Sequence, residues 1–246
     1  MSKDKSKFKL GEFISANRMP VILIIIIAVF FSLMFWLSNQ NKIDLSKVDT
    51  KKIIPASEQS GGIGDHVYDN TSHNSKVTLI EYGDFQCPSC ATVSPKILSL
   101  AKEYGKKITI IFRNYPINGH QNALSASAAV EAAGLQGKYW EMHDLLYDKQ
   151  DEWTVSTASE RMEYFTEYAK ELYKKYAQKA GVANIDKLIS DMQSSNISKK
   201  INFDKALGAK DKITGTPSFF LNGKELDSSV WGDDQALRKK IDEALN

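Results

Sequence analysis

Residues 19–37 read MPVILIIIIAVFFSLMFWL, a run of 19 positions without a charged side chain. As a helix, a run of this length can span the roughly 30 Å hydrocarbon core of a bilayer. A buried helix inside a soluble domain is disfavoured, because no position in the run is polar enough to form a solvated face. We therefore interpret residues 19–38 as a single transmembrane anchor.

The charges around this run predict its orientation. Residues 1–18 hold five basic side chains against two acidic ones, and an excess of Lys and Arg marks the cytoplasmic flank of a membrane helix. A cleaved signal peptide is the alternative, but its apolar region is usually shorter and a small-x-small site follows it. Residues 37–42 (LSNQNK) contain no such site. The sequence thus predicts a single-pass protein of the cell membrane, with a cytoplasmic basic segment at 1–18 and an extracytoplasmic domain.

The remainder of the chain is close to neutral, since the formal net charge of the whole chain is only +2. A neutral ectodomain offers no electrostatic surface for nucleic acid. Residues 39–65 are polar and include the glycine-rich stretch 61–64, which indicates a flexible linker. The folded domain is predicted to occupy residues 66–246.

The first part of this domain has the pattern of a βαβ unit. Residues 77–82 (VTLIEY) and 107–113 (KITIIFR) are short, apolar and β-branched, which is typical of strands. Between them a helix is predicted from Pro88 to about Tyr104, ended by Gly105. Two strands that flank a helix of this length are expected to be parallel, with a right-handed crossover.

A helical block at about 117–212 follows, and a second strand region closes the domain. Helices are predicted at 122–133, 139–149, 160–180, 184–194 and 199–210. The strands 218–221 and 224–226 flank Asn222-Gly223, the strongest short hairpin signal, and a helix at 234–245 comes last. The order of elements is therefore βαβ, a helical block, then ββα, which predicts an α/β fold.

The chain contains two cysteines, Cys87 and Cys90, which form one C-x-x-C at the predicted start of the first helix of the domain. A thiolate, not a thiol, attacks a disulfide. Unpaired N–H groups and the dipole at a helix start favour negative charge. Pro88 suits the first helical position, because its missing N–H would be unpaired there anyway. We predict that Cys87 is the exposed nucleophile and that Cys90, one turn inside, is the resolving cysteine.

Three other interpretations of the cysteine pair remain. A zinc site needs about four ligands with suitable spacing, and the histidines form no H-x₃₋₅-H pair. A structural disulfide would close so short a loop that it stabilises little on the entropic model. A reduced and inert pair is the third. No metal is therefore predicted, and His120 and His143 are interpreted as structural or surface residues. The four histidines stand at His66, His73, His120 and His143.

Four stretches of the chain resemble the DsbA-like branch of the thioredoxin superfamily, and together they cover about residues 66–246 in the right order. The specific motifs are the C-x-x-C and the Thr-Pro before a strand. The resemblance implies a thioredoxin fold interrupted by a helical insertion. The four stretches are Glu81-Tyr-Gly-Asp-Phe-Gln-Cys-Pro-Ser-Cys90, Phe112-Arg-Asn-Tyr-Pro116, Gly137-Lys-Tyr-Trp-Glu-Met-His-Asp144 and Gly215-Thr-Pro-Ser-Phe-Phe-Leu-Asn-Gly223.

The resemblance also assigns roles to residues outside the cysteine pair. Pro217 matches the family's cis-proline, and the Thr216 backbone would then present itself to an extended substrate as a strand-like partner. An ordinary strand start is the alternative for this Thr-Pro pair. Glu81 matches a buried acid that could relay the proton of Cys90 through water. An exposed glutamate at a strand end is the alternative.

Pro88 and Ser89 stand between the cysteines, where strongly oxidising members of this family often carry a histidine. Ser89 supplies no positive charge, only hydrogen bonds, so the Cys87 thiolate is expected to be less stabilised and the protein a milder oxidant. The leading hypothesis is an oxidase that donates its disulfide to exported proteins. It needs no bound cofactor, and a quinone-linked membrane partner would reoxidise it. A reductase or isomerase on the same fold, and a non-catalytic tethered binding module or metallochaperone, are the rivals.

Overall fold

The computed structural model describes residues 18–40, 43–154 and 162–246, apart from the side chains of residues 18, 21, 36–40 and 162–169. The chain divides into two units, Met1–Asp44 and Leu45–Asn246. Residues 1–17 of the predicted cytoplasmic segment lie outside the described residues. The two units are considered separately.

The described residues of the first unit include the helix α1, over Arg18–Gln40. Its described large apolar side chains are exposed, from Ile27 at 45% to Met19 at 79%. Within the part of the chain that the structure describes, no helix combines the length and hydropathy needed to cross a bilayer. The transmembrane anchor and its orientation therefore stay predictions.

The second unit is built on a five-stranded mixed sheet with the order β1-β3-β2-β4-β5. Strands β2 and β3 are parallel, as the sequence predicts, with Glu81 opposite Phe112. The pairs β1–β3, β2–β4 and β4–β5 are antiparallel. The strands are β1 (His66–Val67), β2 (Val77–Gly83), β3 (Ile108–Asn114), β4 (Ser218–Leu221) and β5 (Lys224–Leu226).

Helices pack around this sheet and form the insertion between β3 and β4. The helix α2 (Pro88–Tyr104) connects β2 to β3 through a short 3₁₀ turn at Gly105–Lys107. The insertion contains α3 to α8, and two further helices follow β5. They are α3 (Ala123–Gly134), α4 (Tyr139–Asp148), α5 (Gln150–Trp153), α6 (Met162–Lys179), α7 (Ile185–Met192), α8 (Ser195–Lys210), α9 (Ser228–Trp231) and α10 (Asp234–Leu245).

The two central strands are buried along nearly their whole length. Every residue of β3 is buried, and in β2 only Thr78 is partly exposed. Strands covered on both faces are continuous apolar runs, and this is why VTLIEY and KITIIFR could be recognised. The end of β2 leads directly into the loop before α2, so the sheet fixes where the cysteine pair lies.

The predicted elements agree with the structure within a few residues, and three short ones were not predicted. These are β1, α5 and α9, with two, four and four residues. Elements this short span too few residues to show a hydrophobic period. Residues 160–161 of the predicted helix 160–180 lie outside the described residues.

The segment 45–65 differs from the predicted flexible linker, because the compact unit begins at Leu45. Ile54 and Ile63 are buried. Asp65 forms an ion pair with Arg113 at 2.8 Å, and the two side chains are 1% and 0% exposed. Arg113 also donates to the carbonyls of Thr50 and Lys52. A buried arginine needs such partners, and the polar chain before β1 supplies them.

Candidate active site

The cysteine pair lies at the start of α2, as the sequence predicts. Cys87 is the residue immediately before the helix, with extended backbone angles, and Pro88 occupies the first turn. Both thiols are free. Cys87 retains 7% exposure and Cys90 has none, whereas Pro88 and Ser89 are exposed. Cys87 is therefore buried, which corrects the prediction of an exposed sulfur at this position, and Cys90 lies deeper still.

The surroundings of Cys87 favour its thiolate. They lower the pKa of Cys87 to about 5. The largest cause is a hydrogen bond from the Cys90 thiol, followed, against the cost of burial, by the Thr216 side chain and the N–H groups of Cys90 and Ser89. The sequence argument gave most weight to the helix start, whereas the structure gives most weight to Cys90.

Cys90 has the opposite electrostatic environment. Burial raises the pKa of Cys90 well above its usual value, and the hydrogen bond to Cys87 and the charge of Glu81 add to this. A protonated Cys90 can donate to a Cys87 anion, and this hydrogen bond contributes to both pKa shifts, although burial is the larger cause for Cys90. Near neutral pH the pair therefore consists of a Cys87 thiolate and a protonated Cys90 thiol.

The Thr216–Pro217 loop faces Cys87. The bond between these residues is cis, as the resemblance implied. The Thr216 carbonyl lies 3.3 Å from Cys87 Sγ and accepts a hydrogen bond from the neutral thiol. The buried Thr216 hydroxyl has no partner among the described residues, so it is available to the sulfur once the thiol ionises. The loop thus contacts the reactive atom directly.

Glu81 is buried in the middle of the sheet, at 4% exposure. It pairs with Phe112 on one side and Phe219 on the other, and its Oε1 has no hydrogen-bond partner among the described residues. Burial, reinforced by the charge of Cys87, raises the pKa of Glu81 to about 8. This carboxyl is protonated near neutral pH and is electrostatically coupled to both cysteines.

A glutamine from the helical insertion holds the loop before α2. The Gln150 side-chain amide donates to the carbonyls of Phe85 and Cys87, at 2.7 and 3.0 Å. Gln150 is itself buried. Sequence reasoning missed this residue, because nothing local marks a glutamine 63 positions away in the chain as a partner of Cys87.

Asp84 fixes the other side of the same loop. One carboxylate oxygen accepts from the backbone N–H of Gln86 at 2.7 Å. The other accepts from the N–H of Ile117 at 2.8 Å and lies 2.8 Å from His120 Nδ1. His120 therefore anchors the loop and does not reach the sulfur in any described contact. This agrees with a structural role, and Asp84 is a second residue that sequence reasoning missed.

The other histidines do not form a metal site. His66 contacts Glu131 at 2.8 Å, and His143 is buried with Nδ1 against Asp144. Among the described residues, no group of three or more His, Cys, Asp or Glu side chains is placed to hold a metal ion.

A sheet that leads into a C-x-x-C helix, faced by a cis-proline loop, is the architecture of a thioredoxin-type protein. The family model described as Thioredoxin matches residues 66–243. The chain belongs to the thioredoxin family.

Its relatives in sequence and fold include thiol–disulfide oxidoreductases. The probable disulfide bond formation protein D of Bacillus cereus is 28% identical over 177 residues, which cover 70% of this chain and 76% of that protein. The crystal structure of oxidised BdbD from Bacillus subtilis matches with a TM-score of 0.61 at 20% identity, over 79% of this chain and 98% of that one. The thiol-disulfide exchange protein alpha-DsbA2 from Wolbachia pipientis matches with a TM-score of 0.54 at 22% identity, over 71% and 84%.

Part of the chain also matches a segment of larger membrane proteins. The Na(+)/H(+) antiporter NhaA 1 of Mycolicibacterium gilvum is 31% identical over 156 residues, or 61% of this chain. The match spans only 22% of the antiporter's length. This likeness therefore concerns one segment of the antiporter.

Proposed function

We propose that the protein is an extracytoplasmic thiol–disulfide oxidase that forms disulfides in exported proteins through Cys87 and Cys90. The observation that carries the proposal is the unequal pair of thiols at the start of α2. The environment lowers the pKa of Cys87 to about 5 and raises that of Cys90. One sulfur is thus a good leaving group and nucleophile, and the other holds a proton.

The proposed reaction begins with the Cys87–Cys90 disulfide. A client thiolate attacks Cys87 Sγ, which forms a mixed disulfide and breaks the Cys87–Cys90 bond, and Cys90 leaves as a thiolate that takes up a proton. A second client thiolate then attacks the client's own sulfur in the mixed disulfide. Cys87 leaves as its stable thiolate. Counted from the client dithiol, the client has lost two electrons and two protons. The cysteine pair has gained the two electrons and one proton, on Cys90, and the other proton is released to solvent.

Glu81 is proposed to donate a proton to the Cys90 thiolate and to accept it back when Cys90 ionises. Its unpartnered Oε1 and its coupling to both cysteines support this role. A carboxyl with a pKa of about 8 can give or take a proton near neutral pH without a large energetic cost. The proton would pass between the Glu81 carboxyl and the Cys90 thiol through water, because no direct hydrogen bond joins these two buried groups in the structure.

Thr216 and Pro217 are proposed to bind the client chain beside the sulfur. The Thr216 carbonyl already lies at hydrogen-bond distance from Cys87, so an extended segment paired with this loop would bring its own cysteine to Cys87. Pro88 and Ser89 are exposed next to it, where they shape the approach. The backbone supplies affinity, and neighbouring side chains select the client.

The direction of the reaction follows from the stability of the reduced form. A thiolate with a pKa of about 5 is stabilised in the reduced protein, and a stabilised reduced form makes its disulfide oxidising. A reductase would instead have a potential near the roughly −270 mV of thioredoxin. We therefore expect a potential clearly more oxidising than that, and equilibration with glutathione buffers measures it.

The membrane placement is part of the proposal. The uncharged run 19–37 and the basic residues before it support a single-pass anchor with the domain outside the cytoplasm. A quinone-linked membrane protein would then take up the two electrons from Cys87 and Cys90. Protease treatment of spheroplasts tests the orientation: digestion of the domain in intact spheroplasts supports it, and protection contradicts it.

The catalytic test uses the purified full-length protein in mild detergent. Oxidation of a reduced dithiol peptide, with glutathione disulfide as the terminal oxidant, is followed for the parent protein, for Cys87→Ser and for the control Asp186→Asn, an exposed residue of α7. We expect Cys87→Ser to abolish turnover and Asp186→Asn to retain it. Equal turnover in Cys87→Ser and the parent would contradict the catalytic role and favour a tethered binding module.

A further inference from the structure

A cleft of about 560 Å³ lies beside the cis-proline loop. Thr216 and Pro217, the proposed client-binding residues, line this cleft together with residues 225–228 and Trp231. Thr216 both lines the cleft and contacts Cys87 Sγ through its carbonyl at 3.3 Å. A client residue next to the attacked cysteine would be within reach of it.

Trp231 gives this cleft an aromatic wall. The indole is half-buried and packs against Phe219, with ring centroids 5.8 Å apart. Leu226 lines the cleft as well and is also half-buried. An indole fixed in this way presents a rigid apolar face, on which the aliphatic stem of a lysine or arginine can lie.

The lining carries negative charge. Glu225 and Asp227 line the cleft and are exposed, and the described lining contains no basic side chain. The Asp227 carboxylate accepts a hydrogen bond from Ser229 at the start of α9, which lowers its pKa and keeps it ionised. Asp234, further along the chain, is paired with Arg238 at 2.9 Å, so the negative charge at the cleft is that of Glu225 and Asp227. These two carboxylates favour a cation in the cleft.

We propose that this cleft receives a lysine or arginine side chain of the client, next to the client's reactive cysteine. The stem lies on Trp231 and the cationic head lies between Glu225 and Asp227. The cleft thus selects clients with basic residues beside their cysteines. This inference rests on the proposed oxidase function, because it assigns a specificity to the same site.

Two synthetic dithiol peptides test it, identical except for lysine or glutamate beside the first cysteine. The rate constant for reduction of the oxidised full-length protein is measured at low salt. We expect the lysine peptide to react about fivefold faster than the glutamate peptide. The preference is expected to shrink as salt is added, because exposed charges are screened.

A double variant, Glu225→Gln with Asp227→Asn, removes the charges and keeps the cap of α9, since asparagine caps helices as well as aspartate does. The control, Glu58→Gln with Asp186→Asn, removes two exposed carboxylates elsewhere. We expect the preference to vanish in the double variant and to persist in the control. Persistence in the double variant would overturn the inference.

The rate at which dithiothreitol reduces the oxidised protein distinguishes a failure of the cleft specificity from a failure of the oxidase function. Dithiothreitol is small and neutral, so its reaction with the disulfide does not depend on the cleft. A normal rate with dithiothreitol and equal rates with the two peptides would refute the cleft specificity alone. An oxidised protein that reacts with neither dithiothreitol nor the peptides would refute the oxidase function itself.

Discussion

Replacing Glu81 by glutamine is expected to stabilise the protein by an amount that grows with pH. Glu81 has a pKa of about 8 in the folded protein against an ordinary value of 4.5. Between these values the folded chain keeps a proton that the unfolded chain has lost. The parent protein therefore loses stability as the pH rises through this window.

The magnitude follows from the width of the window. The window runs from pH 4.5 to about pH 8, so pH 7 lies about 2.5 pH units above its lower limit. Each pH unit within the window corresponds to about 1.4 kcal/mol of unfolding free energy. The parent protein should then have lost about 3 kcal/mol relative to acidic pH, whereas Glu81→Gln has no such carboxyl to keep protonated. Above about pH 8 Glu81 ionises in the folded protein too, and the difference levels off.

Urea unfolding of the reduced full-length protein measures this difference at several pH values between about 4.5 and 8. Contributions from the cysteines are largely common to both proteins and cancel in the comparison. Glu58→Gln, which alters an exposed carboxyl, is expected to run parallel to the parent. A constant difference between Glu81→Gln and the parent across the range would refute the buried, proton-retaining carboxyl.

Three further changes have definite expected outcomes. Cys90→Ala removes the largest stabilising contact of the Cys87 thiolate, so the pKa of Cys87 should rise in a pH series of alkylation rates. Gln150→Leu leaves the carbonyls of Phe85 and Cys87 without this partner and should cost about 1–3 kcal/mol in urea unfolding. Arg113→Met removes the nearer cationic partner of the buried Asp65 and leaves Lys200 at 3.7 Å, and it should cost about 3 kcal/mol, the lower end of the range for a broken buried pair, in the same assay. An unchanged pKa, or unfolding midpoints equal to that of the parent, would contradict them.

Local pattern was sufficient to predict the elements that place the cysteines. The runs VTLIEY and KITIIFR are apolar because both faces of β2 and β3 are covered, and Pro88 and Gly105 mark the two ends of α2. Cys87 and Cys90 are recognisable as the candidate redox pair because the sequence contains no other cysteine. The role of Pro217 came from the family resemblance alone.

Contacts between distant parts of the chain could not be predicted in this way. Gln150 and Asp84 are ordinary polar residues in the sequence, and only the fold brings Gln150 to the Phe85 and Cys87 carbonyls. The segment 45–65 has linker-like composition, yet Asp65 in it neutralises the buried Arg113. These contacts depend on which residues the fold brings close together. Composition and periodicity do not predict that proximity.

The ionisation of Cys87 is the property on which the proposed chemistry depends most. The thiolate fraction of the reduced full-length protein is measured from its ultraviolet absorbance across a pH series, with Cys87→Ser as the blank. A transition near pH 5 that is absent from Cys87→Ser is the predicted result. A Cys87 that ionises only around pH 8.5, like an ordinary thiol, would contradict the account.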